Sequence, residues 1–129
     1  MPASMEATAN AKPLSILAVD DDALVLMSTC AMLEDLGHTV YEATSGQQAL
    51  GILDGGAMVD LVITDQAMPD MSGLQLAQAL ESRWPGLPIV VATGYSDLPP
   101  GSPTYPMLGK PFNERELART INEAVAARS

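Results

Sequence analysis

The stretch Ile16-Leu17-Ala18-Val19-Asp20-Asp21-Asp22 joins four apolar residues to three consecutive carboxylates. A short apolar run without alternation is typical of a strand that is buried on both faces, as in a parallel sheet. Ligand sites in such sheets lie beyond the carboxyl ends of the strands. The stretch therefore predicts a parallel α/β sheet whose first strand ends at an acidic site.

Three later apolar runs also end on a reactive residue: Asp65 after 61–64, Thr93 after 88–92, and Lys110 after 107–109. Because the carboxyl ends of parallel strands meet at one edge of the sheet, we expect these side chains to lie together with the first acidic group. Carboxylates, a hydroxyl and an ammonium in one cluster favour phosphoryl transfer to an aspartate beside a bound metal ion.

Apolar runs alternate with helical segments along the chain, which predicts a (βα)₅ three-layer sandwich with right-handed crossovers. Four prolines between residues 94 and 106 predict a shortened or irregular fourth helix. Asn113 and Glu116 predict the start of the last helix by mutual capping. The predicted strands are 15–19, 39–43, 60–64, 87–92 and 107–109, and the predicted helices are 22–36, 45–54, 72–83 and the segment after 113.

Composition limits the function classes. A chain of 129 residues predicts one domain, and its net charge of −10, from 6 basic and 16 acidic residues, argues against nucleic acid or an anionic membrane as a direct partner. The single Cys30 indicates a reducing, cytoplasmic compartment. No apolar stretch approaches the roughly 20 residues of a membrane span. We interpret residues 1–13 as a disordered lead-in and residues 14–129 as the domain.

The ordered motifs resemble the receiver domain of two-component response regulators, the CheY-like superfamily, over Leu14–Ala126. The resemblance implies a flavodoxin-like fold with strand order 2-1-3-4-5. It also implies a signalling protein that takes a phosphoryl group from a histidine kinase or a histidine phosphotransfer domain, and loses it slowly by itself. The matching segments are Ile16–Asp21, Asp60–Asp65, Met68-Pro69, Ser72-Gly73, Ala92-Thr93-Gly94 and Lys110-Pro111-Phe112.

The resemblance also assigns the site residues. Asp65 is the expected phosphoacceptor, and Mg²⁺ or Mn²⁺ is the expected cofactor. Thr93, Gly94 and Lys110 are expected around the phosphoryl group, and the family often has a cis bond between the lysine and the following proline. The expected metal ligands are Asp20, Asp21, Asp65 and the backbone carbonyl of Ala67.

The chain departs from the family's usual pattern around the switch. Met107 stands three residues before Lys110, where many receivers carry an aromatic residue, and Tyr105 is a candidate substitute. Ala67 and Tyr95 are further candidate modulators. We expect phosphorylation to order the loop 94–106 over Asp65. The stretch Val91–Tyr95 resembles the Phe-Ala-Thr-Gly-Tyr receivers, so we interpret the chain as a single-domain regulator, with a hybrid-kinase receiver as the alternative.

The first helix carries two apolar stripes. Val25, Thr29, Met32 and Leu36 are spaced to face the sheet. The other stripe either widens the buried face or forms a docking surface for a helical partner, together with the segment after Lys110. The docking candidates are Leu26, Met27, Cys30, Pro111 and Phe112. The oligomeric state, monomer or weak dimer, stays open.

A different protein class also uses an aspartate nucleophile. Phosphatases of the haloacid dehalogenase type begin with a strand and an Asp-x-Asp motif, here Asp20-x-Asp22, and use a downstream Thr and Lys. They need a further acidic pair beyond the lysine, and Asp65 would have no role. A receiver-shaped scaffold that is never phosphorylated is a third alternative. His38, beside Gly37, is expected to be a surface turn residue.

Overall fold

Five strands form one fully parallel sheet in the order β2-β1-β3-β4-β5. This computed structural model describes residues 13–94 and 105–128. The strands are β1 (Ser15–Val19), β2 (Thr39–Ala43), β3 (Leu61–Asp65), β4 (Ile89–Thr93) and β5 (Met107–Gly109). Within the described ranges the helices are α1 (Ala23–Asp35), α2 (Gly46–Asp54), α3 (Gly73–Arg83) and α4 (Glu114–Arg128). The predicted flavodoxin-like α/β fold is confirmed.

Two strand ends lie further along the chain than the sequence predicts. The third strand ends at Asp65 and the fourth at Thr93, so both residues pair within the sheet rather than follow it. Asp60 precedes β3, where its carboxylate accepts a hydrogen bond from the N–H of Ser15 at 2.9 Å. The expectation for the lead-in at residues 1–13 falls, apart from Pro13, on residues outside those that the structure describes. The expectations for the fourth helix and for Tyr95 also fall outside them.

Alternate residues of the central strands face opposite layers. Ile16 and Ile63 pack with α1 and α4, whereas Leu17 and Val62 pack with α2 and α3. Because both faces are covered, β3 and β4 are buried at every residue and β1 at all but its first, which explains their largely apolar sequence. Among the residues described, no helix has the length and apolar character needed to cross a bilayer.

Side-chain caps fix where the helices begin. The carboxylate of Asp22 accepts hydrogen bonds from the N–H groups of Leu24 and Val25, which satisfies two donors at the start of α1. Asn113 and Glu116 cap each other's N–H groups at the start of α4, as predicted. Ser72 and Gln75 cap each other at the start of α3 in the same manner. At the start of α2, the Ser45 hydroxyl accepts a hydrogen bond from the N–H of Gln48.

The buried face of α1 is wider than the stripe predicted to face the sheet. Thr29 of that stripe is buried, and Met32 and Leu36 pack against the core, but the second stripe is buried as well. Leu26 and Cys30, two of the docking candidates, are each only 4% exposed and pack against β1 and β3. Their assignment to an exposed docking stripe is therefore wrong. Apolar residues occupy almost every side of this helix, so the sequence spacing fits either orientation. Met27 is 64% exposed and remains a docking candidate.

The ends of α2 and α3 are joined at the amino edge of the sheet, opposite the carboxyl ends of the strands. The guanidinium of Arg83 forms an ion pair with the Asp54 carboxylate. The same guanidinium lies over the Trp84 ring, 4.6 Å from its centroid. Both ionic side chains are about half exposed, so the pair contributes little to stability.

Candidate functional site

Four strands bring their terminal residues together at the carboxyl edge of the sheet. Asp20 follows β1, and Lys110 follows β5. Asp65 pairs with Ala92, and Thr93 pairs with Gly109, so the ends of β3, β4 and β5 are level. The parallel register therefore forms the cluster that the sequence predicts.

Lys110 bridges two carboxylates in this cluster. Its Nζ lies 2.7 Å from Oδ1 of Asp65 and 3.2 Å from Oδ2 of Asp20. Its backbone N–H donates to the Thr93 carbonyl at 2.9 Å, which fixes the start of the side chain. The Lys110–Pro111 peptide bond is cis, as the family resemblance implies.

Three carboxylates can share one metal ion. Asp20, Asp21 and Asp65 each offer an oxygen, and these oxygens lie within 4.8 Å of one another. Asp20 and Asp65 are buried, whereas Asp21 is exposed. Carboxylate oxygens are the ligands that Mg²⁺ prefers, so the donor chemistry fits this ion. The Oδ1 atom of Asp20 also accepts a hydrogen bond from the N–H of Asp22 at 2.9 Å, which orients that carboxylate.

The cluster holds more negative than positive charge. Burial raises the pKa of Asp65, and the charges of Asp20 and Asp21 add to this effect, although the hydrogen bond from Lys110 opposes it. Burial alone would lower the pKa of Lys110, but its hydrogen bond to Asp65 and the surrounding carboxylates raise it. The lysine is therefore charged at neutral pH, and ionised Asp65 is destabilised in the absence of a cation.

Replacing Asp65 by Asn should stabilise the metal-free protein at pH 7. Because the pKa of Asp65 is raised on folding, its contribution to stability is greatest at low pH and is lost as pH rises through the folded-state pKa. Urea unfolding in EDTA should show a gain above the roughly 0.5 kcal/mol expected for surface substitutions.

Asp54→Asn is the matched control for this effect, because Asp54 is an exposed carboxylate with its own basic partner. The free energy of unfolding of the Asp54→Asn variant should change by less than that of Asp65→Asn, and it should not increase. Mg²⁺ at about 100 times Kd should add about 2.7 kcal/mol to the wild type and less to Asp65→Asn. A metal-free Asp65→Asn variant less stable than the wild type would contradict the charge argument.

The other predicted site residues differ in burial and in their position along the strands. Thr93 is buried at the end of β4, and Gly94 follows it on the surface. Ala67 lies in the exposed loop after β3. Tyr105 precedes β5, at the end of that strand opposite Lys110, and its hydroxyl donates to Glu81 of α3 at 2.8 Å. Met107 is exposed on β5.

A groove of about 450 Å³ runs beside Lys110, between α1 and the segment that follows β5. The docking candidates Pro111 and Phe112 form one wall. The other residues that line it are Leu24, Val25, Ser28, Thr29, Met32 and Gly94. The groove is mainly apolar and opens next to the acidic cluster.

The sequence did not reveal the roles of two residues at this edge. Gln66 follows Asp65 directly, and its side-chain oxygen accepts a hydrogen bond from the N–H of Leu74 at 2.9 Å. A Cβ on Gly73 would lie 2.5 Å from the Asp65 carbonyl oxygen. The Ser72-Gly73 pair was noted as a motif, but nothing in the sequence signals the role of Gln66.

Comparison with known proteins identifies relatives of this arrangement. Residues 16–122 match the family model described as the response regulator receiver domain. The chain is 34% identical to sensor kinase CckA of Brucella abortus over 115 residues, which cover 84% of the chain and 12% of the kinase. It is 30% identical to the transcriptional regulatory protein FixJ of Azorhizobium caulinodans, covering 87% of the chain and 55% of FixJ. The chain therefore spans little more than half of FixJ and a small part of the kinase.

Solved structures share both the fold and part of the sequence. A response regulator receiver protein from Sinorhizobium medicae has a TM-score of 0.80 and 31% identity, covering 92% of this chain and 98% of that one. Chemotaxis protein CheY4 of Vibrio cholerae has a TM-score of 0.78 and 28% identity, covering 88% and 99%. With the family match over residues 16–122, these likenesses show that the chain belongs to the response regulator receiver domain family.

Proposed function

We propose that Asp65 accepts a phosphoryl group from a phosphohistidine of a histidine kinase or a histidine phosphotransfer domain. The observation that carries this proposal is the bridge from Lys110 to Asp65 and Asp20, at 2.7 and 3.2 Å, beside a third carboxylate. A buried aspartate with one cation and two acidic neighbours contributes little to the stability of the fold, because burying its charge costs free energy. The same arrangement suits a nucleophile that works with a metal ion.

We assign different roles to the two oxygens of Asp65, and the contact with Lys110 supports this assignment. Lys110 engages Oδ1, so we assign the attack on phosphorus to Oδ2. The Oδ2–P bond forms while the P–N bond of the phosphohistidine breaks, and its electron pair stays on the imidazole nitrogen. Lys110 then faces the transferred group as a fixed positive charge, and the Thr93 hydroxyl is the neighbouring hydrogen-bond donor. Catalysis therefore consists of positioning and charge neutralisation.

Mg²⁺ or Mn²⁺, when bound, would neutralise the carboxylates and the phosphoryl oxygens. Asp21 and Asp65 would hold it, with Asp20 acting largely through a bound water and the Ala67 carbonyl completing the protein ligands. Asp20 is also oriented by the N–H of Asp22 and by Lys110, which keeps its carboxylate at the cluster.

Intact mass spectrometry tests the proposal. A small acyl-phosphate donor should add one phosphoryl group per chain with Mg²⁺, and none in EDTA or on Asp65→Asn. Labelling that persists in Asp65→Asn would refute the assignment. Continuous turnover of a phosphate ester would support the hydrolase alternative instead. That alternative also needs Asp22 for chemistry, whereas this carboxylate caps α1.

The groove beside Lys110 and the exposed side of α1 are the proposed docking surface for the protein donor. Met27→Glu should slow phosphotransfer from a cognate kinase or phosphotransfer domain by about tenfold or more, because it places a charge where an apolar contact is expected. Labelling by the small donor should be unchanged, since Met27 is 64% exposed and lies outside the acidic cluster.

Met58→Glu is the matched control for docking. Met58 is 81% exposed and lies between α2 and β3, away from α1. It should leave both reactions unchanged. Equal loss of both reactions in Met27→Glu would mean that this residue matters for folding alone. Equal slowing by both substitutions would point to net charge rather than to a docking surface.

We further propose a single-domain, cytoplasmic regulator that signals by conformational change and does not bind nucleic acid itself. The likeness of Val91–Tyr95 to the Phe-Ala-Thr-Gly-Tyr receivers supports this choice. The alternative, a receiver of a hybrid kinase, is supported by the match to part of a sensor kinase. The full-length gene product distinguishes the two directly, and light scattering with and without a phosphoryl mimic distinguishes a monomer from a weak dimer.

A further inference from the structure

Gln66, the residue that follows Asp65, takes part in four hydrogen bonds. Its N–H donates to the Ala92 carbonyl at 2.9 Å, which extends the pairing of β3 with β4 by one residue. Its carbonyl accepts from the N–H groups of Met68 and Gly73, both at 3.1 Å. Its side-chain oxygen accepts from the N–H of Leu74 at 2.9 Å. One residue thus connects the end of β3 to β4 and to the start of α3.

These bonds use the free donors at the start of α3. The first N–H groups of a helix have no partner within the helix. Here Gly73 and Leu74 donate to Gln66, and Gln75 donates to the Ser72 hydroxyl. The start of α3 is therefore attached to the residue that follows Asp65, and these N–H groups are not available to a phosphoryl group.

The same bonds define the turn that contains Ala67. The bond from the N–H of Met68 to the carbonyl of Gln66 closes a three-residue turn with Ala67 at its centre. This bond uses the residues on either side of Ala67 and leaves the Ala67 carbonyl for another partner. The Ala67 carbonyl belongs to the same peptide group as the Met68 N–H, which donates to the Gln66 carbonyl. The position of the Ala67 carbonyl therefore depends on Gln66.

We propose that Gln66 is a positioning residue, whose side-chain amide fixes the loop 67–72 and thereby the Ala67 carbonyl beside Asp65. This inference rests on the proposed function, in which that carbonyl completes the metal ligands. Gln66 does not touch the reacting atoms. Loss of its hydrogen bond should free the loop and weaken metal binding, as loss of the groups that orient metal ligands commonly does.

Gln66→Met removes the acceptor with little change in length, and Gln66→Glu keeps an acceptor oxygen. Ser72→Ala is the matched control, because it removes one cap from the same helix without touching the Leu74 bond. Amide hydrogen exchange should become faster at Leu74 in Gln66→Met, and at Gln75 in Ser72→Ala. Gln66→Glu should retain the slow exchange at Leu74. Gln66→Met and Ser72→Ala should thus each speed up exchange at a different amide, and this result does not depend on a bound metal ion.

Mg²⁺ affinity, measured by calorimetry, should fall about tenfold in Gln66→Met and less than twofold in Ser72→Ala. Unchanged Leu74 exchange, or equal loss of Mg²⁺ affinity in both variants, would overturn the proposal. Faster Leu74 exchange with wild-type Mg²⁺ affinity would also overturn it, because Gln66 would then be a helix cap only. If the wild type itself neither binds Mg²⁺ nor is labelled, the proposed function fails, and the exchange pattern alone decides whether Gln66 holds the loop.

Discussion

Lys110→Met should slow labelling of Asp65 by a small acyl-phosphate donor by about tenfold to a hundredfold. Removing one preorganised electrostatic contact at a reacting oxygen typically costs about a hundredfold to a thousandfold in rate. Lys110 already contacts Asp65 in the unphosphorylated protein, at 2.7 Å, so part of its contribution is the same before and during the reaction. That part does not accelerate the chemistry, so we expect a loss below this usual range or at its lower limit.

The measurement is the labelling rate by mass spectrometry at saturating Mg²⁺, where the ion offsets the extra negative charge. Arg83→Met is the matched control: it removes a cation of similar length whose ion pair is exposed and lies at the opposite edge of the sheet. This control should label at the wild-type rate. Wild-type labelling by Lys110→Met would contradict the role given to the lysine.

Gly73→Ala should destabilise the protein and slow labelling by about tenfold to a hundredfold. The new Cβ would lie 2.5 Å from the Asp65 carbonyl oxygen and 3.0 Å from the Gln66 Cα, so backbone must move. Crowding of this kind costs about 1–3 kcal/mol, against a gain of about 1 kcal/mol from replacing a helical Gly by Ala. The movement displaces the nucleophile itself, and a displacement of about 1 Å can cost a hundredfold in rate.

Gly51→Ala separates helix propensity from this contact. Gly51 is exposed within α2, and apart from its chain neighbours and the nearby backbone of α2, no described atom lies within 4 Å of its added Cβ. It should stabilise the protein by up to about 1 kcal/mol and leave labelling unchanged. Urea unfolding and labelling rates of both variants provide the comparison. If Gly73→Ala behaved like Gly51→Ala, the close approach of α3 to β3 would have no influence on the site.

The sequence predicted the sheet and the cluster because both depend on strongly constrained residues. A central parallel strand must be apolar on both faces, so the end of β1 is visible where Asp20 interrupts the run. The cap at Asn113 was equally visible, because an unpaired N–H at a helix start requires an acceptor nearby in the chain. Each of these sequence patterns involves residues close together in the chain. The parallel register of the strands then places the strand-end residues in one site.

Features that depend on packing between elements could not be predicted from the sequence. The apolar residues of α1 fit two orientations, and only contact with β1 and β3 shows that Leu26 and Cys30 are buried. His38 was expected at the surface, but it is buried, and its Nδ1 accepts a hydrogen bond from the N–H of Leu14 at 3.0 Å. Burial lowers the pKa of His38, which favours the neutral form that can accept this bond. Gln66 was missed for the same reason, since its partner lies eight residues away.

The position of Trp84 provides an optical reporter that is separate from the chemistry. It is the only tryptophan of the chain, and it follows α3, about 16 Å along the helix from Gly73. Its ring lies under the Arg83 guanidinium, so the emission should change when α3 unfolds and this contact is lost. Metal or phosphoryl groups at the other end of the helix should leave the signal unchanged. The emission of Trp84 can therefore be used to measure unfolding with and without these ligands, and the two unfolding curves can be compared directly.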